Sequence, residues 1–457
     1  MSTEHSKRAA KFTADVEKTT WHDATFWSVR QKRDKMAHEL PEWEDLRELA
    51  SEIKMHTITH LADYLDVFSK NLESRGVKVH WAKDAQEFNE IVLGILNDHH
   101  VKKMVKSKSM LTEECEMNPY LEKHGIDVVE TDLGERIIQL LGQKPSHIVM
   151  PAIHLKREEV GKMFEEKGIS KEIGNYDPTY LTRCARHHLR DQFMEAGAGM
   201  TGCNFGVAET GDCVVCTNEG NADMTTSMPK LHIVAMGIEK LVPDYKSLAV
   251  FQRLLCRCGT GQPTTAFTSH FRQARPGAEM HVVLVDNGRS DILADKDHWQ
   301  TLKCMRCGAC MNTCPVYRRS GGYSYTYFIP GPVGVNLGML KNPQKYADNV
   351  SACTLCLSCD NVCPSKVGPG SQIYVWRQSL DKLGKANPIK KAMSSGMEYL
   401  FDRPSLYTTA LKFAPLANLI PECCTHFSNW NAWGIGHAMP EFAKKSFHQL
   451  WKEGIVK

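Results

Sequence analysis

No stretch of 18 consecutive apolar residues occurs in the 457-residue sequence, so a membrane-spanning helix is not expected. An apolar signal-peptide core is lacking too, because residues 1–11 are polar and charged. A cytoplasmic location is therefore expected, with any attachment to the inner membrane made through partners. Charge of one sign is not in excess either. Lysine and arginine number 56 against 53 acidic residues, without a long single-sign block, which argues against a nucleic-acid footprint. Small molecules or proteins are the expected partners. Nucleotide motifs are missing as well: there is no Walker-type P-loop. Gly197-Ala-Gly199-Met-Thr-Gly202 has the letters of a dinucleotide fingerprint but follows a helix and enters a strand, the reverse of the required order. No flavin or nicotinamide motif is visible either.

Cysteine, by contrast, is abundant, at 17 residues. Cys304-Met-Arg-Cys307-Gly-Ala-Cys310-Met-Asn-Thr-Cys314-Pro315 and Cys353-Thr-Leu-Cys356-Leu-Ser-Cys359-Asp-Asn-Val-Cys363-Pro364 repeat one C-x2-C-x2-C-x3-C-P run. That is the spacing with which bacterial ferredoxins hold cubane iron–sulfur clusters, and the fourth cysteine of each run closes the other run's site. Cys304, Cys307, Cys310 and Cys363 are thus expected to bind one 4Fe-4S cluster, and Cys353, Cys356, Cys359 and Cys314 a second. Zinc sites draw cysteine pairs from separate knuckles, and disulfides need an oxidising compartment. Neither fits as well. Arg306, Arg318, Arg319 and Lys366 lie close to these ligands in sequence, where positive charge would favour a reduced cluster.

Upstream, apolar residues at three- and four-residue steps from 42 to 75 predict a helix that begins near Pro41. His56 and His60 stand one turn apart on it, with no third ligand to make a metal site. From 76 onward short apolar runs alternate with amphipathic stretches. Strands are expected at 77–81, 103–106, 126–130 and 147–151, with helices at 85–96, 113–124, 135–141 and 158–167. A long helix at 178–195 precedes further strands at 201–209, 212–217 and 232–236. This alternation predicts an α/β domain with a parallel-rich sheet. Asn287-Gly288, between apolar runs at 280–285 and 290–293, predicts a hairpin closing it.

Ligands of parallel sheets gather where strands hand over to helices. The polar residues Lys106, Lys108, Glu209, Asn218 and Asn221 fall in such loops and form a candidate anion pocket; the alternative is that they only cap turns and helices. Cys213/Cys216 and Cys256/Cys258 are expected to be buried free thiols, since two cysteines three apart on a strand face opposite ways. Cys115, Cys184, Cys203, Cys423 and Cys424 show no spacing pattern. Helices return at 373–383 and 389–401, followed by an apolar stretch at 406–420 that either packs on the cluster domain or docks elsewhere. The expected domains are an N-terminal helical region (1–75), an α/β domain (76–295), a ferredoxin-type domain (296–380) and a helical C-terminal region (381–457).

Several segments in fixed order are similar to one known family: Val105-Lys-Ser-Lys-Ser-Met-Leu-Thr-Glu-Glu114, Glu130-Thr-Asp-Leu-Gly-Glu135, Thr201-Gly-Cys-Asn-Phe-Gly-Val-Ala-Glu-Thr-Gly211, Thr217-Asn-Glu-Gly-Asn221, Val285-Asp-Asn-Gly-Arg-Ser290 and the double cysteine run. From about residue 30 to 380 the chain resembles the lactate utilisation protein B family. The resemblance implies an α/β LUD-type domain similar to sugar-phosphate isomerase and CoA-transferase-like folds, followed by a helical two-cluster ferredoxin domain. It implies an iron–sulfur electron-transfer subunit that works with two other subunits in oxidising L-lactate to pyruvate and passes electrons to a downstream acceptor. The same plan would also serve another 2-hydroxy-acid dehydrogenase or a disulfide-reductase-like complex. A non-redox transferase or ligand sensor with structural clusters is the rival from another class. Cys213/Cys216 and Cys256/Cys258 are not part of the family pattern.

Overall fold

A computed structural model describes residues 3–385, 388–420 and 441–456. Residues 384–457 form one compact unit and residues 2–383 another.

The larger unit begins with four helices, α1 (Glu4–Thr13), α2 (Val16–His38), α3 (Trp43–Thr59) and α4 (Leu61–Glu73). The single helix predicted over 42–75 is broken at His60, whose φ of −117° and ψ of 30° leave the helical region. There the His60 ring lies 4.5 Å from that of His56, and His56 is hydrogen-bonded to Tyr64.

The α/β region follows in strict alternation at first. It runs β1 (Lys78–Ala82), α5 (Ala85–Asp98), β2 (Lys103–Lys106), α6 (Met110–Glu114), α7 (Met117–Lys123), β3 (Asp127–Glu130) and α8 (Leu133–Leu140). Next come α9 (Arg157–Glu166), α10 (Pro178–Glu195), β4 (Ala198–Thr201), β5 (Phe205–Val207), β6 (Asp212–Thr217) and α11 (Asn221–Ser227). It closes with β7 (Leu231–Gly237), β8 (Leu241–Val242), α12 (Tyr245–Gly259), β9 (Phe267–Phe271), β10 (Glu279–Val285) and α13 (Arg289–Ala294).

Six strands make one parallel sheet in the order β1-β10-β7-β4-β2-β3. Its central strand β7 is buried along its whole length, as expected where both faces are covered by helices. One face packs on α5 and α7 through Phe88, Val92 and Leu121; the other packs on α4 through Leu65, Phe68 and Leu72. A second, mixed sheet, β8-β5-β6-β9, was not anticipated. The strands read at 201–209 and 212–217 divide between the two, because β5 and β6 pair antiparallel with each other rather than joining the parallel ladder.

Two local expectations fail. Residues 147–151 form a turn-rich loop instead of a strand: the His147 Nδ1 accepts hydrogen bonds from the backbone N–H groups of Val149 (3.1 Å) and Met150 (3.0 Å) that a ladder would have used. Asn287 and Gly288 do take positive φ, 42° and 84°, but the chain then enters α13 rather than a return strand.

The cluster region is helical: α14 (Ala309–Thr313), α15 (Pro315–Ser320), α16 (Gly331–Lys341), α17 (Pro343–Ala352), α18 (Ser358–Val362) and α19 (Pro369–Ser379). The N-terminal helices hold it. Buried Arg47 of α3 donates twice to the Cys363 carbonyl, at 3.1 and 3.0 Å, and Arg33 of α2 donates to the Val362 carbonyl.

The smaller unit contains α20 (Pro388–Phe401), α21 (Pro404–Phe413) and α22 (Phe447–Lys452). Cys423 and Cys424 lie outside the described residues. Among the described residues no helix is long and apolar enough to cross a membrane.

Candidate cluster site and adjoining cavity

Each cysteine run folds the same way. Two residues of left-handed backbone, Arg306 and Gly308 (φ 62° and 81°), lie between the first run's ligands, and Leu355 and Leu357 (φ 55° and 57°) hold the same places in the second. This curls three cysteines around a common centre before a one-turn helix, α14 or α18, carries the chain to the fourth. Backbone N–H groups point at sulfur in both loops. Arg306 N–H lies 3.4 Å from the Cys304 Sγ, and Leu355 N–H lies 3.3 Å from the Cys353 Sγ. The fourth cysteines receive theirs from beyond the proline: Tyr317 N–H to Cys314 (3.5 Å) and Val367 N–H to Cys363 (3.3 Å).

Cys304, Cys307, Cys310 and Cys363 line one small, almost wholly apolar cavity. Burial raises the Cys310 thiol well above its usual range, and the neighbouring sulfurs of Cys304, Cys307 and Cys363 add to the effect. Cys314 is pushed up to about 11 by burial, partly opposed by backbone N–H groups, with Cys353 and Cys356 as its sulfur neighbours. Cys359 is raised by burial, Asp360, Cys310 and Cys314. Cys307, Cys359 and Cys363 are buried, Cys304, Cys310, Cys314 and Cys353 half-buried and Cys356 exposed, and thiols crowded in this way ionise together only around a strongly cationic centre. The donor set and the sulfur-directed N–H groups therefore fit an iron–sulfur group.

Two further side chains stand beside ligand sulfur. Cys258, fully buried on α12, stands beside Cys307 and, with burial, raises its thiol, and the buried Tyr325 neighbours Cys314. Of the cations close to the ligands in sequence, Arg318 is taken by Asp23 at 3.1 Å and by the Trp27 ring at 4.6 Å. Arg319 faces Asp23, and Lys366 pairs with Glu48. Among the described residues the Arg306 guanidinium has no such partner.

Beside the first run lies a cavity of about 360 Å³. Lys108, Asp132, Cys203, Lys240 and Arg289 line it from the carboxyl ends of β2, β3, β4, β7 and β10, and Arg306 and Cys307 close it from the cluster loop. This is the edge at which parallel sheets bind ligands. Asn218 and Asn221 also line it. Two other expected pocket residues do not. Lys106 is fully buried behind the wall, bonded to Glu130 at 2.7 Å and Glu113 at 3.3 Å. Glu209 is exposed in the β5–β6 turn, which Asn71 of α4 holds by its backbone carbonyls.

The cavity's charges are sorted. Arg289 is saturated by Glu239 (2.5 Å) and Glu114 (3.0 Å). Burial opposes ionisation of Glu239, but Arg289, Lys240 and Arg306 outweigh it and hold the carboxyl at about 2. Lys108 donates to the Val149 carbonyl at 2.7 Å and faces Glu135 at 3.7 Å. Burial and nearby Asp132 push Glu219 up to about 7. Cys216 and Cys256 also line the wall, while Cys213 points into the hydrophobic core on the opposite face of β6.

The LUD domain family matches residues 65–290, and the 4Fe-4S dicluster domain family matches residues 300–367. Lactate utilization protein B of Oceanobacillus iheyensis is 39% identical over 438 residues, covering 93% of this chain and 91% of that protein. The chain belongs to the lactate utilization protein B family. Another lactate utilization protein B, from Geobacillus thermodenitrificans, is 41% identical over 83% of this chain and 81% of its own length. A crystal structure of a DUF162 family protein from Deinococcus radiodurans overlays with a TM-score of 0.28 at 14% identity, covering 49% of this chain and 98% of that one. As a member of the lactate utilization protein B family, this is an iron–sulfur protein in which a LUD domain precedes a 4Fe-4S dicluster domain.

Proposed function

We propose that this chain is the electron-transfer subunit of an assembly that oxidises L-lactate to pyruvate, working with two other subunits and a downstream electron acceptor. Two 4Fe-4S clusters are held by Cys304, Cys307, Cys310 and Cys363, and by Cys353, Cys356, Cys359 and Cys314. The observation that carries this reading is the crossed grouping of the fourth cysteines, Cys363 beside the first run and Cys314 beside the second. Bound cubane clusters supply one-electron transfer at potentials tuned by their surroundings. The chain's own part is to tune and to insulate. Backbone N–H groups direct hydrogen bonds at ligand sulfur, which favours the reduced state. Buried Tyr317, Val333 and Ile373 pack together beside the ligands and exclude water. The names of the relatives supply the substrate.

Anaerobic addition of L-lactate to the assembled, iron-loaded complex tests this reading. Bleaching of the visible cluster absorbance at the rate of pyruvate formation is expected. Absorbance that stays constant through many turnovers contradicts it and favours structural clusters on a transferase or sensor. Reduction by a different 2-hydroxy acid, with none by lactate, reassigns the substrate.

A further inference from the structure

Among the described residues, two cations on the wall of the 360 Å³ cavity have nothing at hydrogen-bonding distance to neutralise them. The Arg306 guanidinium carries a buried Nη1 without a partner. Among the described residues, Lys240 makes no hydrogen bond or ion pair, and its sequence neighbour Glu239 is already engaged by Arg289. The position of Lys240 is built rather than incidental. It sits in the tight turn after β7, pinned by buried Lys54, which donates to the carbonyls of Glu239 (2.5 Å) and Leu241 (3.1 Å). Asn221, only 7% exposed, adds an unpartnered Oδ1 to the same wall. Buried polar groups are normally satisfied, and a cationic pair held in a concave, partly apolar site is suited to an anion.

We infer that this cavity binds a small carboxylate anion of the 2-hydroxy-acid or 2-oxo-acid class, with the carboxylate on Lys240 and Arg306 and the free Asn221 Oδ1 placed to accept from the hydroxyl of the 2-hydroxy acid. The choice of that class rests on the relay reading given above. Because Cys307 belongs both to the cavity wall and to the first cysteine group, an occupant lies against the first cluster and not the second.

The test uses the full-length, iron-loaded protein without partners, titrated calorimetrically with L-lactate and with pyruvate. Electron paramagnetic resonance of the dithionite-reduced protein is recorded with and without each acid. Saturable binding is expected, with a changed signal from the first cluster alone. Lys240→Met and Arg306→Gln are each expected to weaken binding about tenfold or more, the loss of one charged hydrogen bond. Lys240→Met lies outside the cysteine loop, and iron content checks that both variants remain loaded. Wild-type protein that binds neither acid, or variants that bind as tightly as wild type, overturns the proposal. Since the reductant here is dithionite, the outcome does not depend on turnover. Binding without lactate-driven reduction would defeat the relay alone, and lactate-driven reduction without binding to this chain would defeat the cavity alone.

Discussion

The imidazole of His147 and the carboxamide of Asn312 meet at 3.0 Å, joining the α/β domain to the first cysteine run. His147 Nδ1 accepts from two backbone N–H groups, so its Nε2 donates to the Asn312 Oδ1. The Asn312 Nδ2 in turn donates to the carbonyl of Gly259, at the end of α12. One buried side chain thus fixes the cluster loop against both the 147–151 loop and the helix carrying Cys256 and Cys258.

Replacing Asn312 with Ala leaves two buried groups without partners. A loss of roughly 1–3 kcal/mol is expected, seen as a lower denaturation midpoint of the iron-loaded protein. Iron retained per chain after gel filtration should fall with it; unchanged stability and iron content would show that the bridge is incidental.

The cluster potentials should respond separately to the two polar side chains beside the ligands. Cys258→Ala is expected to lower the midpoint of the first cluster, and Tyr325→Phe that of the second. Each shift should be on the order of 20–40 mV, the one-electron equivalent of up to about 1 kcal/mol. Redox titration followed by electron paramagnetic resonance resolves the two. A shift of both clusters by either variant would contradict the pairing of Cys258 with Cys307 and of Tyr325 with Cys314.

The cysteine spacing and the strand–helix alternation were legible in the sequence because each is a local, repeated pattern. The cavity was not, because its cations come from separate segments. Lys240 lies in an apolar stretch with no motif, and Arg306 reads like any other basic residue near the ligands until the partners of Arg318, Arg319 and Lys366 are seen. Arg289 follows Asn287-Gly288, which invited a hairpin reading: the backbone angles were anticipated and the element after them was not. The run at 148–150 is apolar enough for a strand, but the ring of His147 takes up its N–H groups. Lys106 and Lys108 look equivalent in sequence. Burial against Glu130 separates the first from the second, which reaches the cavity.

That difference is testable. Lys106→Met strands Glu130 and Glu113 without their buried counter-ion and is expected to cost about 3–5 kcal/mol of stability. Thermal unfolding checks this, and a loss under about 1 kcal/mol would place Lys106 outside the structural core of the domain.

Acid should loosen the fold before carboxylates titrate. Burial, with nearby positive charge in the first two cases, holds His147 at about 3, His154 at about 4 and His232 at about 3, below the roughly 6.5 of an unfolded chain. Between those values the unfolded chain binds more protons, so stability is complete above about pH 6.5 and declines as pH falls toward the folded values. The slope is about 1.4 kcal/mol per pH unit for each histidine. His232, bonded to the hydroxyl of Thr201 at 2.9 Å, lies away from the clusters, and His232→Gln should flatten the melting temperature's dependence on pH between 6.5 and 4. An unchanged slope would assign the acid sensitivity elsewhere.

The relay itself is decided by freeze-quench electron paramagnetic resonance of the complete, iron-loaded complex within one turnover of adding L-lactate. The account predicts two reduced, magnetically interacting cubane clusters on this subunit, both of which decay when the electron acceptor is supplied. Clusters that remain oxidised while pyruvate accumulates would contradict it.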